Sequence, residues 1–381
     1  MAVSLESNFP GGNGLLLSSS ANAQKVQVRF AAECKNCPQA MWFYFRLSGL
    51  GGRAVRAVLA NPEQTLGGPN WSQNRPVARR LAEGAWGPWG RLGLPEAVAS
   101  QGRVEWAWQL PPAQQVEIAF CYPYIPCDLD ATLNELGDAF SSCFIGLSAQ
   151  NQPLVRLFNR AARKDRPAVY LTARHHAGET PGSWVLDGLL RSVAQDPQLG
   201  ELTWWAVPFV DLDNVLAGSY GKDPYPHDCN RSYGLDGPRR PEASAVWADV
   251  LRLRENAGPM LLIDLHAPSH YEQAVYVPRR GWDADAPVNP MAEDFANRYN
   301  ALQDKDIRSP LAHILPDPPS HNHGRQAGLS ICRWAMENRI DAVTIETSYQ
   351  GNAQKAYEVD DYRRLGIALA RAAAEWLGEK K

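Results

Sequence analysis

The chain has 381 residues, 45% hydrophobic and 21% charged, with 30 Gly and 29 Pro; this is ordinary globular composition and excludes collagen, coiled coil and wholesale disorder. With 38 Lys and Arg against 41 Asp and Glu the formal charge is −3, so no global field draws a polyanion by counterion release, and nucleic acid is excluded as a main partner. No apolar stretch approaches the ~20 residues that span a bilayer, and the opening MAVSLESNFPGGNG has neither a basic nor a long apolar region, so the expectation is a soluble, unprocessed, cytoplasmic protein with no membrane partner.

At about 150 residues per domain the length predicts two domains, with boundaries expected at 1–130 and 131–381. The first half reads as short strands between turn signals: 25–30 (KVQVRF), 41–47 (MWFYFRL), 53–59 (RAVRAVL), 104–110 (VEWAWQL) and 115–122 (QVEIAFCY). Val26, Val28 and Phe30 alternate with polar neighbours, as do Val116, Ile118 and Phe120, which is the pattern of a sheet with one buried face. An N-terminal antiparallel β-sandwich is predicted. Its six tryptophans read as core filler rather than a ligand platform. Seven cysteines are an odd, sparse set, expected to be reduced thiols; Cys34 and Cys37 form a CxxC without a second one, and read as structural or incidental.

From about Leu154 the signal changes to continuous apolar strands separated by helical stretches, which predicts an α/β domain with a mostly parallel sheet covered on both faces. Strands are expected at 168–173, 202–210, 260–266 and 342–347, and helices at 183–195, 241–255, 291–303 and 362–378. The segment 311–324, rich in Pro and His, is expected to be a loop. There is no internal repeat, and nothing in the sequence sets an oligomeric state.

The strand AVYLTA runs into Arg174-His175-His176-Ala177-Gly178-Glu179, which puts His176 and Glu179 on the turn leaving a buried strand. Open α/β sheets bind their ligands at that end. A second such strand ends at His266. Two imidazoles and a carboxylate are the protein ligands of a catalytic zinc site with one position open, and the chemistry that follows is hydrolytic. Asp264, on the same strand, either orients a ligand imidazole or is a strand-end charge. Glu346 ends the strand AVTIET and reads either as a general base and acid or as an edge-strand surface carboxylate. Asn230-Arg231 reads either as a clamp for a substrate's terminal carboxylate or as an ordinary surface Arg beside an Asn.

Together these runs resemble the M14 zinc carboxypeptidases, and within them the cytosolic carboxypeptidase branch in its bacterial-type form. ARHHAGETPGSW (173–184) resembles the branch's zinc motif, DLHAPS (264–269) the segment of the third ligand, TIETSYQG (344–351) that of the catalytic Glu, and CNRSY (229–233) the Asn-Arg clamp. MWFYFRL and AFCYPYIP (119–126) resemble the β-sandwich that precedes the catalytic domain in that branch. The resemblance implies one Zn2+ per chain on His176, Glu179 and His266, with Glu346 as the catalytic residue and Asn230 and Arg231 binding substrate. It also implies an α/β, phosphorylase/hydrolase-like zinc carboxypeptidase domain with a mixed, mostly parallel sheet. The expected partners are peptide or protein C-termini, including acidic ones.

Two departures stand out. The family's carbonyl-polarising Arg precedes the Asn-Arg pair by about ten residues, whereas here the stretch reads Ser219-Tyr220-Gly221-Lys222 and Lys222 is the nearest cation. The family's loop Tyr ahead of the catalytic Glu has only Tyr299 as a counterpart. Arg325 and Arg333 are candidates for the cation of an acidic specificity pocket, or else helix-surface charges. His321, His323 and Tyr349 either line the mouth or are plain loop residues. Two other functions fit the same motifs: an amidohydrolase acting on N-acyl amino acids, as in the succinylglutamate desuccinylase and aspartoacylase relatives, and a catalytically weak binding module.

Overall fold

The computed structural model describes residues 2–82, 84–100, 102–234, 237, 239–281, 287–317 and 328–379. The predicted candidates His321, His323 and Arg325 lie outside the described residues.

The first part of the chain forms two facing sheets. One runs in the order Ser4–Glu6, Tyr44–Ser48, Val116–Ala119, Val77–Ala82, Ala85–Trp86, with Gly90–Arg91 also paired to Val77–Ala82. The other runs Leu15–Ala21, Lys25–Ala31, Ala54–Leu59, Arg103–Leu110, Glu96–Ser100. Among the described residues these pairings are antiparallel except that of Lys25–Ala31 with Ala54–Leu59. The alternation read in the sequence sends Val26, Val28 and Phe30 inward, where the Phe30 ring lies 4.7 Å from Phe45 of the opposite sheet. Trp42, Trp71, Trp106 and Trp108 are buried core, while Trp86 and Trp89 are half-buried and lie against the Arg79 guanidinium. All seven cysteines are free thiols.

The second part is built on a seven-stranded sheet, ordered Ser141–Leu147, Pro153–Phe158, Thr203–Val207, Ala168–Ala173, Met260–His266, Asp341–Thr347, Val275–Tyr276. The four strands from Thr203–Val207 to Asp341–Thr347 are mutually parallel, and the outer three pair antiparallel. The central strands are mostly apolar and largely buried because both faces are covered. Val169, Leu171, Leu261 and Ile263 meet the Thr180–Gln195 and Val359–Gly378 helices, while Tyr170 and Leu262 meet Pro241–Arg254 and Ile331–Glu337. The first of these helix pairs crosses at two glycines: a Cβ on Gly366 would stand 2.0 Å from the Val185 carbonyl oxygen, and one on Gly188 2.2 Å from that of Arg363.

The sandwich and the α/β layer share one hydrophobic core. The Phe120 ring lies tilted against Tyr349 at 4.8 Å, and Trp71 stacks at 5.0 Å on His270. Arg91 reaches across to donate from Nε to Tyr357 O (2.7 Å) and from Nη2 to Tyr349 O (2.7 Å) and Tyr362 Oη (3.0 Å). Tyr349 therefore sits fully buried in this seam rather than at a cleft mouth. Among the described residues no helix is long and apolar enough to cross a membrane.

Candidate metal centre

Three parallel strands end side by side, and each delivers a side chain to one cleft. Ala168–Ala173 passes into a turn whose first residue, Arg174, takes a left-handed φ of 63°. Its buried guanidinium holds that turn, donating from Nε to Ala177 O (2.7 Å) and from Nη1 to Tyr124 O (2.7 Å) and Ser183 Oγ (3.2 Å). Glu179 then precedes the Thr180–Gln195 helix, which opens on Pro181, a residue suited to a first helical turn because no backbone donor is lost there. His266 and Glu346 are direct partners across the parallel ladder.

The structure brings His176, Glu179 and His266 together, with ligating atoms all within 4.8 Å of one another. His176 Nδ1 lies 2.8 Å from Glu179 Oε1, and His266 Nδ1 lies 2.7 Å from Glu179 Oε2. Each imidazole is oriented by a carboxylate at its other nitrogen: Asp228 at 3.2 Å from His176 Nε2, and Asp264 at 2.7 Å from His266 Nε2. Without an ion, protons on the two imidazoles bridge these contacts to Glu179, and a divalent ion on two nitrogens and an oxygen would take the place of those protons.

The electrostatics reflect the crowding. Burial alone would lower the His266 pKa, but the Asp264 and Glu179 carboxylates overrule it and raise it well above the ordinary value. Burial would raise Glu179, yet the two imidazoles hold it well below the usual carboxylate range. A second grouping, His175 with Asp264 and His266, also has ligating atoms in reach. His175 is fully buried, and both its nitrogens are engaged, by Asp264 Oδ1 at 2.8 Å and Tyr233 Oη at 2.9 Å. It braces Asp264 instead of facing the cleft.

Glu346 is 4% exposed, and its Oε2 has no hydrogen-bond partner among the described residues. Burial first, and the nearby Glu179 carboxylate after it, push its pKa up to about 7, against the pull of His266 and Lys222. The cleft above is lined by His176, His266, Glu346, Lys222, Asn230 and Arg231, and further out by Arg280, Cys332, Arg333 and Thr344. Lys222 Nζ stands 3.8 Å from Glu179 Oε1. Asn230 spends its amide inside the protein, donating to Asp264 Oδ2 (3.1 Å) and accepting from Ile331 N (3.0 Å). Arg333 lines the cleft and also pairs with Glu337 one turn on, at 3.2 Å. Tyr299 is buried under the Val359–Gly378 helix, its hydroxyl donating to Leu365 O (3.3 Å), and does not reach the cleft. Sequence reasoning missed Asp228, Arg174 and Arg280. Asp228, two residues before the Asn-Arg pair, had position as its only signal.

A family model described as the cytosolic carboxypeptidase N-terminal domain matches residues 5–121. Cytosolic carboxypeptidase 3 of Bos taurus is 29% identical over 188 residues, covering 44% of this chain and 18% of that protein. Cytosolic carboxypeptidase 6 of Caenorhabditis elegans is 24% identical over 296 residues, covering 69% and 62%. Among solved structures, a metallo-carboxypeptidase from Burkholderia cenocepacia superposes with a TM-score of 0.78 at 17% identity over 100% of both chains. One from Pseudomonas aeruginosa, in complex with (2-guanidinoethylmercapto)succinic acid, gives 0.75 at 17% identity over 99% and 100%. The fold is thus that of the M14 carboxypeptidases. The chain is similar to the cytosolic carboxypeptidases, at residues 5–121 by the family model and over 69% of its length by the Caenorhabditis elegans relative, while its match spans less than a fifth of the first mammalian relatives, 18% of each.

Proposed function

We propose that this chain is a zinc-dependent metallocarboxypeptidase that removes C-terminal residues, acidic ones preferred, from peptides or proteins. The observation that carries the reading is the meeting of His176 Nδ1, the Glu179 carboxylate and His266 Nδ1 beside the buried, half-unpartnered Glu346. One Zn2+ held by those three residues supplies Lewis-acid charge beside the scissile carbonyl and the attacking water.

The chain's own residues do the rest. Glu346 takes a proton from the water and returns it to the leaving amine, a role suited to a carboxyl whose pKa lies near neutrality. Arg231 pairs with the substrate's terminal carboxylate, its planar fork matching the two oxygens. Asn230 holds Asp264 and so supports the imidazole of His266. Lys222 offers positive charge to the carbonyl oxygen as it becomes an oxyanion. Among the described residues, Lys222, Arg231, Arg280 and Arg333 line the cleft with one carboxylate, that of Glu346, and this excess favours an acidic C-terminal side chain.

The test is release of free amino acid from peptides ending in Glu, Leu or Lys by zinc-loaded protein. Glu346→Gln is expected to lose at least ~10²-fold in kcat while keeping its zinc. A preference for Lys would overturn the acidic specificity. Deacylation of N-acyl amino acids without peptide cleavage would make the protein an amidohydrolase, and no turnover on either class would make it a binding module.

A further inference from the structure

We infer that the N-terminal domain takes part in the chemistry through its turn at 34–37, where Cys37 is a positioning residue for Lys222. The inference rests on the carboxypeptidase reading and explains how a cation other than Arg is held at the carbonyl.

The segment 216–225, which carries Lys222, is gripped from the sandwich side along its length. Gly11 N donates to Leu216 O (3.0 Å), Asn13 Nδ2 to Gly218 O (2.8 Å), and Lys35 Nζ to Ala217 O. Ser219 Oγ donates to Asn36 Oδ1 (2.9 Å), and Tyr225 N to Asn36 O (3.0 Å). The bond nearest the cleft is made by the thiol: Gly221 N donates to Cys37 Sγ at 3.2 Å, and Cys37 Sγ also lies 3.1 Å from Ser219 Oγ. The thiol proton has two acceptors in reach, Ser219 Oγ and Asn36 Oδ1 at 3.5 Å, and the sulfur keeps a lone pair for the Gly221 N–H. Burial pushes the Cys37 thiol up to about 11, which keeps that donor in place at neutral pH.

The opposite side of the segment presses on the turn that bears the metal-site residues. Gly178 N donates to Tyr220 O at 2.7 Å. Gly221 has φ +77°, and a Cβ there would come 2.4 Å from Ala177 N. Position 221 therefore admits no side chain, and the first residue after it that can present a cation is Lys222. The Gly221 peptide, with its N–H on Cys37, sets the direction in which the chain enters Lys222. Without the sulfur, that buried N–H must seek another acceptor, and the loop moves with it.

Three variants of the full chain decide the matter: Cys37→Ala, Cys37→Ser and Lys222→Met. Cys37→Ala is expected to lower kcat by roughly 10- to 100-fold with KM little changed, because the grip of Arg231 on the terminal carboxylate is untouched. Cys37→Ser, which keeps a donor and an acceptor, should recover most of the loss. Adding Cys37→Ala to Lys222→Met should cost nothing further in kcat, since both act through one amine. Fully additive losses, or an unchanged kcat in Cys37→Ala, would overturn the inference. A second readout does not need turnover: hydrogen exchange of peptides covering 219–225, and the rate of reductive methylation of Lys222, should rise in Cys37→Ala and return in Cys37→Ser. If the parent cleaves no peptide, the carboxypeptidase reading falls by itself. In that case unchanged exchange and labelling would also sink the positioning role, whereas increased exchange and labelling reversed by Ser would sustain it.

Discussion

Glu179 and the two imidazoles beside it owe their geometry to side chains that never enter the cleft. Asp228 accepts from His176 on one side, and Asp264, held by Thr172, His175 and Asn230, accepts from His266 on the other. Partners of this kind fix tautomer and ring direction, so Asp228→Asn is expected to weaken zinc binding by about 10- to 100-fold, measured by competition with a chromogenic chelator. Glu346 makes a pH-dependent contribution whose sign follows from its raised pKa. Between the ordinary carboxylate range and about 7 the folded, metal-free protein keeps a proton that the unfolded chain releases. Stability from this group is therefore complete at low pH and lost as pH rises through that window. Metal-free Glu346→Gln should accordingly outlast the metal-free parent at pH 8, by up to roughly 3 kcal/mol, and match it near pH 4, below the window; melts in chelator at both pH values check this. The cleft's four principal side chains were legible in the sequence because each closes an apolar strand or follows it in the turn. Asp228, Arg174 and Arg280 were not, since their work depends on distances between segments far apart in the chain.

At the scale of elements, burial decided what could be read. Ala168–Ala173 and Met260–His266 are covered on both faces and appear as mainly apolar runs with the predicted limits. The edge strands Ser141–Leu147 and Pro153–Phe158 are partly exposed and mixed in composition, and Ile331–Glu337 is a seven-residue helix, too short for a helical period to emerge. The sheet is mixed and mostly parallel, as the sequence predicts, with three flanking strands running antiparallel around the four central ones. The close crossing of Thr180–Gln195 with Val359–Gly378 carries its own prediction. A methyl at Gly366 meets backbone, which cannot swing aside, so Gly366→Ala should destabilise by about 1–3 kcal/mol or more in urea unfolding. Because the first of these helices begins next to Glu179, the same variant should also bind zinc more weakly than the parent.

At the scale of the whole molecule, the shared core and the Arg91 bonds tie the sandwich to the α/β layer. A single calorimetric transition is therefore expected for the metal-free chain, in place of two resolved ones. Arg91→Met should lower that transition while keeping it single; a split would mean the two layers fold independently. A fragment limited to 131–381 would expose the aromatic face now covered by Phe120 and Trp71, and should aggregate on expression, as sedimentation of the lysate would show. The ladder that sets His266 opposite Glu346 has a further consequence for inheritance. Side chains alternate along a strand, so losing or gaining one residue inside Met260–His266 or Asp341–Thr347 would hand the cleft a neighbour from the wrong face. Descendants of this gene can vary the spelling of those seven-letter words, but not their length.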